Sequence, residues 1–173
     1  MKGLFTRLSM ALLWAHLINI AHSSHAFHLL KFNRDFRITQ GSKNNVHISG
    51  DGNMATLMLN KKADVGAEVV SHEQFLFGRF DVKIKLLPDE QGRFTGAAAS
   101  YYLIGTSGNH DEIRYDFSSN ENGQGYMLGT NIVINGNRDR EISFSFEFDP
   151  TKDYHTYSML NFRVGSYWIV SPL

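Results

Sequence analysis

From Ile142 to Asp149 apolar and polar residues alternate without a break, with Ile142, Phe144, Phe146 and Phe148 on one side and Ser143, Ser145, Glu147 and Asp149 on the other. A period of two belongs to a strand with one packed face and one wet face. Phe80, Val82, Ile84 and Leu86 alternate in the same way with Asp81, Lys83 and Lys85. Beyond Phe27 no stretch carries a sustained apolar repeat at helical spacing. Clusters of turn-forming residues separate the runs at Ser49–Asn53, Pro88–Gly92, Gly105–Asn109, Asn120–Gly125, Asn135–Asn137 and Asp149–Thr151. Short, evenly punctuated strands predict a two-sheet sandwich or a barrel. No internal repeat, low-complexity tract or linker interrupts this pattern, and 173 residues set it in one domain.

The alternation carries chemistry between His110 and Phe117, where Ile113, Tyr115 and Phe117 share one face of a predicted strand and Glu112, Arg114 and Asp116 share the other. Such a strand can present a wall to a core and a row of ionisable groups to a cleft. Two carboxylates bracketing a site is the arrangement of a glycosidase; in the retaining kind one attacks the anomeric carbon and the other protonates the leaving oxygen, at a separation of about 5–5.5 Å. Arg114 is the anomaly, because a guanidinium between two carboxylates favours the ionised form of both. On these residues alone, a salt-bridged strand surface is the commoner arrangement.

Composition narrows the classes. The chain is 42% apolar and 13% aromatic, ample for a packed core, and carries no net charge. No basic patch points to nucleic acid. The chain has no cysteine, so disulfides play no part and the redox compartment is not legible from that count. At the N-terminus Lys2 and Arg7 precede an apolar run from Leu8 to Ile20 and then small residues around Ala21, Ser23, Ser24 and Ala26. This reads as a secretory leader cut before Phe27, or alternatively after Ser23, too short to span a bilayer comfortably, with an N-terminal anchor or a buried helix as the alternative. Removing residues 1–26 takes away two cations and no acid, leaving a net charge of about −2. His22, His25 and His28 recur every three residues but straddle the cut, which argues against a metal site. No Asn-x-Ser/Thr sequon occurs.

The string from His110 to Phe117 resembles the active-site strand of xyloglucan endotransglucosylase/hydrolases, plant members of glycoside hydrolase family 16, whose pattern is His-Asp-Glu-Ile-Asp-Phe-Glu-Phe. Glu73–Leu86, Ala99–Leu103, Thr130-Asn131, Asn137–Glu141 and Phe148–Ser158 are similar to the family's text in the family's order. The resemblance runs from about Phe32 to about Leu160 and implies an all-β jelly-roll (concanavalin A-like) sandwich. It also implies cleavage of the β-1,4-glucan of xyloglucan, with transfer of the cut end to another chain or to water and no cofactor. By position Glu112 matches the nucleophile, Asp116 stands for the acid/base Glu, and Arg114 replaces a helper Asp. His110, Tyr101, Tyr102, Asn131, Arg140 and Glu141 are implied to touch sugar, with Tyr115 a further stacking candidate. No metal site is implied.

Two departures bear on catalysis. An acid held ionised by Arg114 cannot protonate a leaving group, and Asp116 is one methylene short, a withdrawal of about 1.5 Å where about 1 Å can cost 100-fold. On the wet face of Ile142–Asp149 the family's polar and aromatic positions have become Ser143, Ser145 and Glu147. The pattern is left after Leu160, so residues 161–173 read as a divergent tail and the sandwich as incomplete, with Phe144, Phe146 and Phe148 less well covered. The expectation is thus a leader over 1–26, a family 16 domain over 27–160, and a secreted, monomeric, cell-wall protein acting on xyloglucan with impaired activity. A glucan-binding protein without catalysis and a non-functional truncated product are the alternatives.

Overall fold

The computed structural model describes residues 5–10, 14–21, 26–41, 44–58, 66–87, 98–106, 108, 110–119, 125–164 and 167–169, with the backbone path alone before residue 28 and after residue 161. The predicted turns at Pro88–Gly92 and over most of Asn120–Gly125 fall outside these residues, as do His22 and His25.

Fourteen strands and one helical turn are described: β1 (Phe5–Met10), β2 (Trp14–Ala21), β3 (Ala26–Leu30), α1 (Phe32–Asp35), β4 (Phe36–Gln40), β5 (Val46–Ile48), β6 (Ala55–Leu57) and β7 (Glu68–Ser71). They continue with β8 (Gly78–Lys85), β9 (Ala98–Gly105), β10 (Glu112–Ser119), β11 (Tyr126–Val133), β12 (Ile142–Ser145), β13 (His155–Val164) and β14 (Tyr167–Ile169). A seven-stranded sheet runs β12-β11-β10-β9-β1-β7-β4, a five-stranded sheet runs β14-β13-β8-β2-β3, and β5 pairs with β6. Every pairing between these strands is antiparallel. Of the sandwich and the barrel that the alternation left open, the strands form the sandwich, in agreement with the jelly roll that the resemblance implies.

Facing strands of the two sheets meet through aromatic side chains. Ala99, Tyr101 and Leu103 of β9 and Ile113, Tyr115 and Phe117 of β10 pack against Phe80, Val82 and Ile84 of β8 and Tyr157 and Met159 of β13, all buried. Each such side chain stabilises the fold by about 1.5–3 kcal/mol through apolar burial. Two phenols tie the sheets together: Tyr101 donates to the carbonyl of Phe80 at 3.2 Å, and Tyr115 to that of Ser158 at 2.7 Å. The Tyr115 ring packs obliquely beside Tyr101 and edge-on to Tyr157, with centroids 6.3 and 6.5 Å away.

The alternation misleads at β12. Ile142 and Phe144 are 59% and 47% exposed, and Phe148 is exposed as well; Phe146 alone of the four packs against the core. Strand β12 is the outermost of its sheet and is paired to β11 alone, so its apolar face lacks the cover that a central strand receives.

The segment read as a leader also takes an unexpected place, because β1 lies between β7 and β9 and β2 lies between β3 and β8. A continuous apolar run is as compatible with a strand buried on both faces as with a leader, and periodicity does not separate the two. Among the described residues no helix is long and apolar enough to cross a membrane.

Candidate active site

The period of two sets the site. In β10, Glu112, Arg114 and Asp116 project to the face opposite the core, opposite Ile104, Tyr102 and Ser100 of β9 and opposite Val133, Asn131 and Gly129 of β11. A cavity of about 360 Å³ opens over this face, bordered by Glu68, Tyr102, His110, Glu112, Arg114 and Arg138 among others. That volume is at the lower end of small-ligand clefts.

Arg114 occupies the middle of the row and engages both carboxylates. Its Nε reaches Asp116 Oδ2 at 2.7 Å, one terminal nitrogen reaches Asp116 Oδ1 at 2.7 Å, and the other reaches Glu112 Oε2 at 3.1 Å. The bidentate pairing with Asp116 is the strong, planar form of such a contact. Ser100 accepts from Arg114 at 3.3 Å and donates its hydroxyl to Asp116 Oδ1, while the Tyr102 ring lies 5.6 Å from the guanidinium carbon. Burial works against the charge of Arg114, yet the Asp116 hydrogen bond and the Asp116 and Glu112 charges outweigh it and carry its pKa above the ordinary arginine value.

Glu112 is almost entirely buried, at 2% exposure, and both its oxygens are engaged. Oε1 receives His110 Nε2 at 2.8 Å and a guanidinium nitrogen of Arg138 at 2.8 Å, and Oε2 receives Arg114. His110 and Asp111 also hold the loop that brings Arg138 in. Asn135 and Gly136, at φ +51° and +79°, form a tight hairpin turn closed by the Ile134–Asn137 bridge. The Asn135 amide donates to Asp111 Oδ1 at 2.8 Å and the Gly136 amide to the His110 carbonyl at 3.1 Å.

The residues implied by resemblance separate on this scaffold. Glu112, Arg114, Asp116, His110 and Tyr102 come together on the cleft face. Tyr101 does not: β9 alternates, so Tyr101 is wholly buried between the sheets and is no sugar platform. Tyr115 is buried for the same reason. Asn131 sits opposite Arg114 and donates to the Arg138 carbonyl at 3.1 Å, which makes it a support of the loop. Arg140 pairs with neighbouring Asp139 at the surface and does not border the cavity. Glu141 lies over Gly129 beside Asp116; its Oε1 is 3.3 Å from where a Cβ on Gly129 would stand, so the absence of a side chain there makes its room. Arg138, Ser100 and Glu68 were not singled out in the sequence. Arg138 fell within the similar stretch Asn137–Glu141, and Ser100 lies two residues before Tyr102 on the same face; Glu68, whose carboxylate accepts from Tyr102 at 2.6 Å, had no signal.

Among the described residues no group of three or more His, Cys, Asp or Glu side chains is placed to hold a metal ion. What the row offers is two carboxylates, Glu112 and Asp116, both held by cations.

Residues 32–170 match the Glycosyl hydrolases family 16, and the match continues beyond Leu160, where the sequence reading leaves the family pattern. The chain is 39% identical over 156 residues to the probable xyloglucan endotransglucosylase/hydrolase protein 10 of Arabidopsis thaliana, covering 90% of this chain and 48% of that protein. It is 39% identical over 127 residues to xyloglucan endotransglucosylase protein 7 of Diospyros kaki, and 37% identical over 129 residues to xyloglucan endotransglucosylase/hydrolase 2 of Glycine max. Those matches cover 73% and 75% of this chain, and 45% and 44% of the relatives. The chain spans about half the length of the curated relatives it matches. An active-site strand of family design, set in an antiparallel sandwich and carried by a match over residues 32–170, places this chain in glycosyl hydrolases family 16, among the relatives of the xyloglucan endotransglucosylase/hydrolases.

Proposed function

We propose that this chain acts on the β-1,4-glucan backbone of xyloglucan by retaining double displacement, with Glu112 as nucleophile and Asp116 as acid and base, and that Arg114 holds the rate low. In the first step a Glu112 oxygen attacks the anomeric carbon, the glycosidic C–O bond breaks, and the leaving oxygen takes a proton from Asp116. In the second, Asp116 withdraws a proton from the hydroxyl of an acceptor sugar or of water, whose oxygen displaces Glu112. Carboxylates suffice for both steps, so the chemistry calls for no cofactor. The observation that carries the second half of the proposal is the clamp of Arg114 on both carboxylates at 2.7 and 3.1 Å. An Asp116 held bidentately by a guanidinium must release it before it can carry a proton. Transfer of labelled xyloglucan oligosaccharide onto xyloglucan, compared between wild type and Arg114→Asp/Asp116→Glu, tests this; a rise in the revertant supports it.

We further propose that the protein is exported to the cell wall, on the strength of the leader pattern over residues 1–26. The sheets offer residues 5–10 and 14–21 a second use, as β1 and β2. The intact mass of protein recovered from extracellular fluid separates the two: a chain starting near Phe27 supports export with cleavage, and a chain starting at Met1 overturns it.

A further inference from the structure

Arg114 accounts for one oxygen of Glu112, and the other is shared by His110 and Arg138. Arg138 stands on the connection between β11 and β12, and its own backbone is pinned by Asn131 just as the preceding turn is pinned by His110 and Asp111. Its guanidinium borders the cavity and meets Glu112 Oε1 at 2.8 Å, although the side chain is 54% exposed. We propose that Arg138 is a second lock on the nucleophile, a positioning residue whose guanidinium occupies Glu112 Oε1 and lowers the reactivity of the carboxylate independently of Arg114. The inference rests on the reading of Glu112 as the nucleophile.

The physical reason is differential stabilisation. Attack on an anomeric carbon turns the Glu112 carboxylate into a neutral ester, so a cation bonded to the carboxylate favours the starting state over the transition state and slows the step. Arg138 also borders the cavity, and its guanidinium occupies the Oε1 position that a reacting sugar would approach. Half-exposure weakens the ion pair by solvent screening. Reverting Arg114 alone frees Oε2 but leaves Oε1 in the grip of Arg138 and His110.

The test reads the carboxylate directly, without sugar. The full-length chain is treated with a water-soluble carbodiimide and an amine, and modification at Glu112 is measured by peptide mass spectrometry relative to the exposed Glu147 of the same molecule. Arg138→Ala and Arg138→Gln each raise that ratio by about tenfold, the scale of losing one charge-assisted hydrogen bond to a buried carboxylate. Arg138→Lys, which keeps the cation, holds the ratio near wild type. An unchanged ratio in both Arg138→Ala and Arg138→Gln overturns the lock. Because no glycan enters the measurement, failure here is distinct from failure of the xyloglucan reading, which the transfer assay decides.

Discussion

Replacing Arg114 by Asp and Asp116 by Glu trades stability for rate, and the structure sets the size of each side. Arg114 contributes two bonds of 2.7 Å to Asp116, one of 3.1 Å to Glu112 and a contact with the Tyr102 ring. Breaking a buried pair by removing one partner costs about 3–5 kcal/mol. Asp116 is 30% exposed and Glu112 keeps Arg138 and His110, which reduces the loss to about 2–3 kcal/mol. For a chain of this size that lowers Tm by about 5–10 °C. The gain lies in the chemistry: a proton donor free to work is worth about 100- to 10,000-fold, and restoring the missing methylene returns reach whose loss alone can cost about 100-fold. The double revertant therefore transfers labelled xyloglucan oligosaccharide at least about 100 times faster than wild type, measured below both melting transitions. Equal rates from a folded revertant would refute the reasoning. So would a rate gain with no loss of Tm, since that would mean the Arg114 contacts stabilise nothing.

Three further outcomes follow from other parts of the molecule. Burial pushes the phenol of Tyr115 up to about 12 and raises those of Tyr101 and Tyr157 as well. The folded chain then keeps protons that the unfolded chain loses near pH 10, so stability present below pH 10 drains away up to about pH 12, by about 2–3 kcal/mol from Tyr115 alone. Tyrosinate absorbance should rise together with loss of circular dichroism; a phenol titration well ahead of unfolding would contradict this. Phe144→Ser at the edge strand should change stability by no more than about 0.5 kcal/mol while reducing self-association in light scattering. A large stability loss there would show that the exposed face is covered in solution. Finally, if β1 and β2 are sheet strands of the uncut protein, amides of residues 14–20 exchange with solvent as slowly as those of β8; free exchange would remove those strands from the fold.

Much of this was open to sequence reading where one strand's own alternation decided the outcome. Phe80, Val82, Ile84 and Leu86 are buried as their spacing implies, and Glu112, Arg114 and Asp116 share a face because nothing but period two is needed to put them there. The turn at Asn135-Gly136 was legible because both residues tolerate left-handed backbone. Legibility ended where position depends on a neighbour. Strand β12 alternates as cleanly as β8, yet Ile142 and Phe144 stay exposed because sheet order, not spacing, supplies cover. Arg138 reaches Glu112 across 26 residues through a loop anchored by His110, Asp111 and Asn131, contacts set by which strands lie side by side and not by spacing along the chain. Tyr101 and Tyr102 look alike as neighbours, and only the register of β9 against β10 sends one inward and the other to the cleft.

The insertion of β1 between β7 and β9 has a consequence for the timing of biogenesis. Met10 pairs with Tyr101, and Ile18 of β2 pairs with Asp81, so the earliest residues to leave the ribosome must wait for some of the later ones before their hydrogen bonds can form. At about 5–20 residues per second that wait is about 5–20 s, ample time for an export receptor to capture an apolar segment. On the proposed export route, whether residues 5–10 and 14–21 are discarded with a leader or stay as β1 and β2 is then a race between capture and synthesis, and slowing translation between residues 30 and 100 shifts the outcome toward capture.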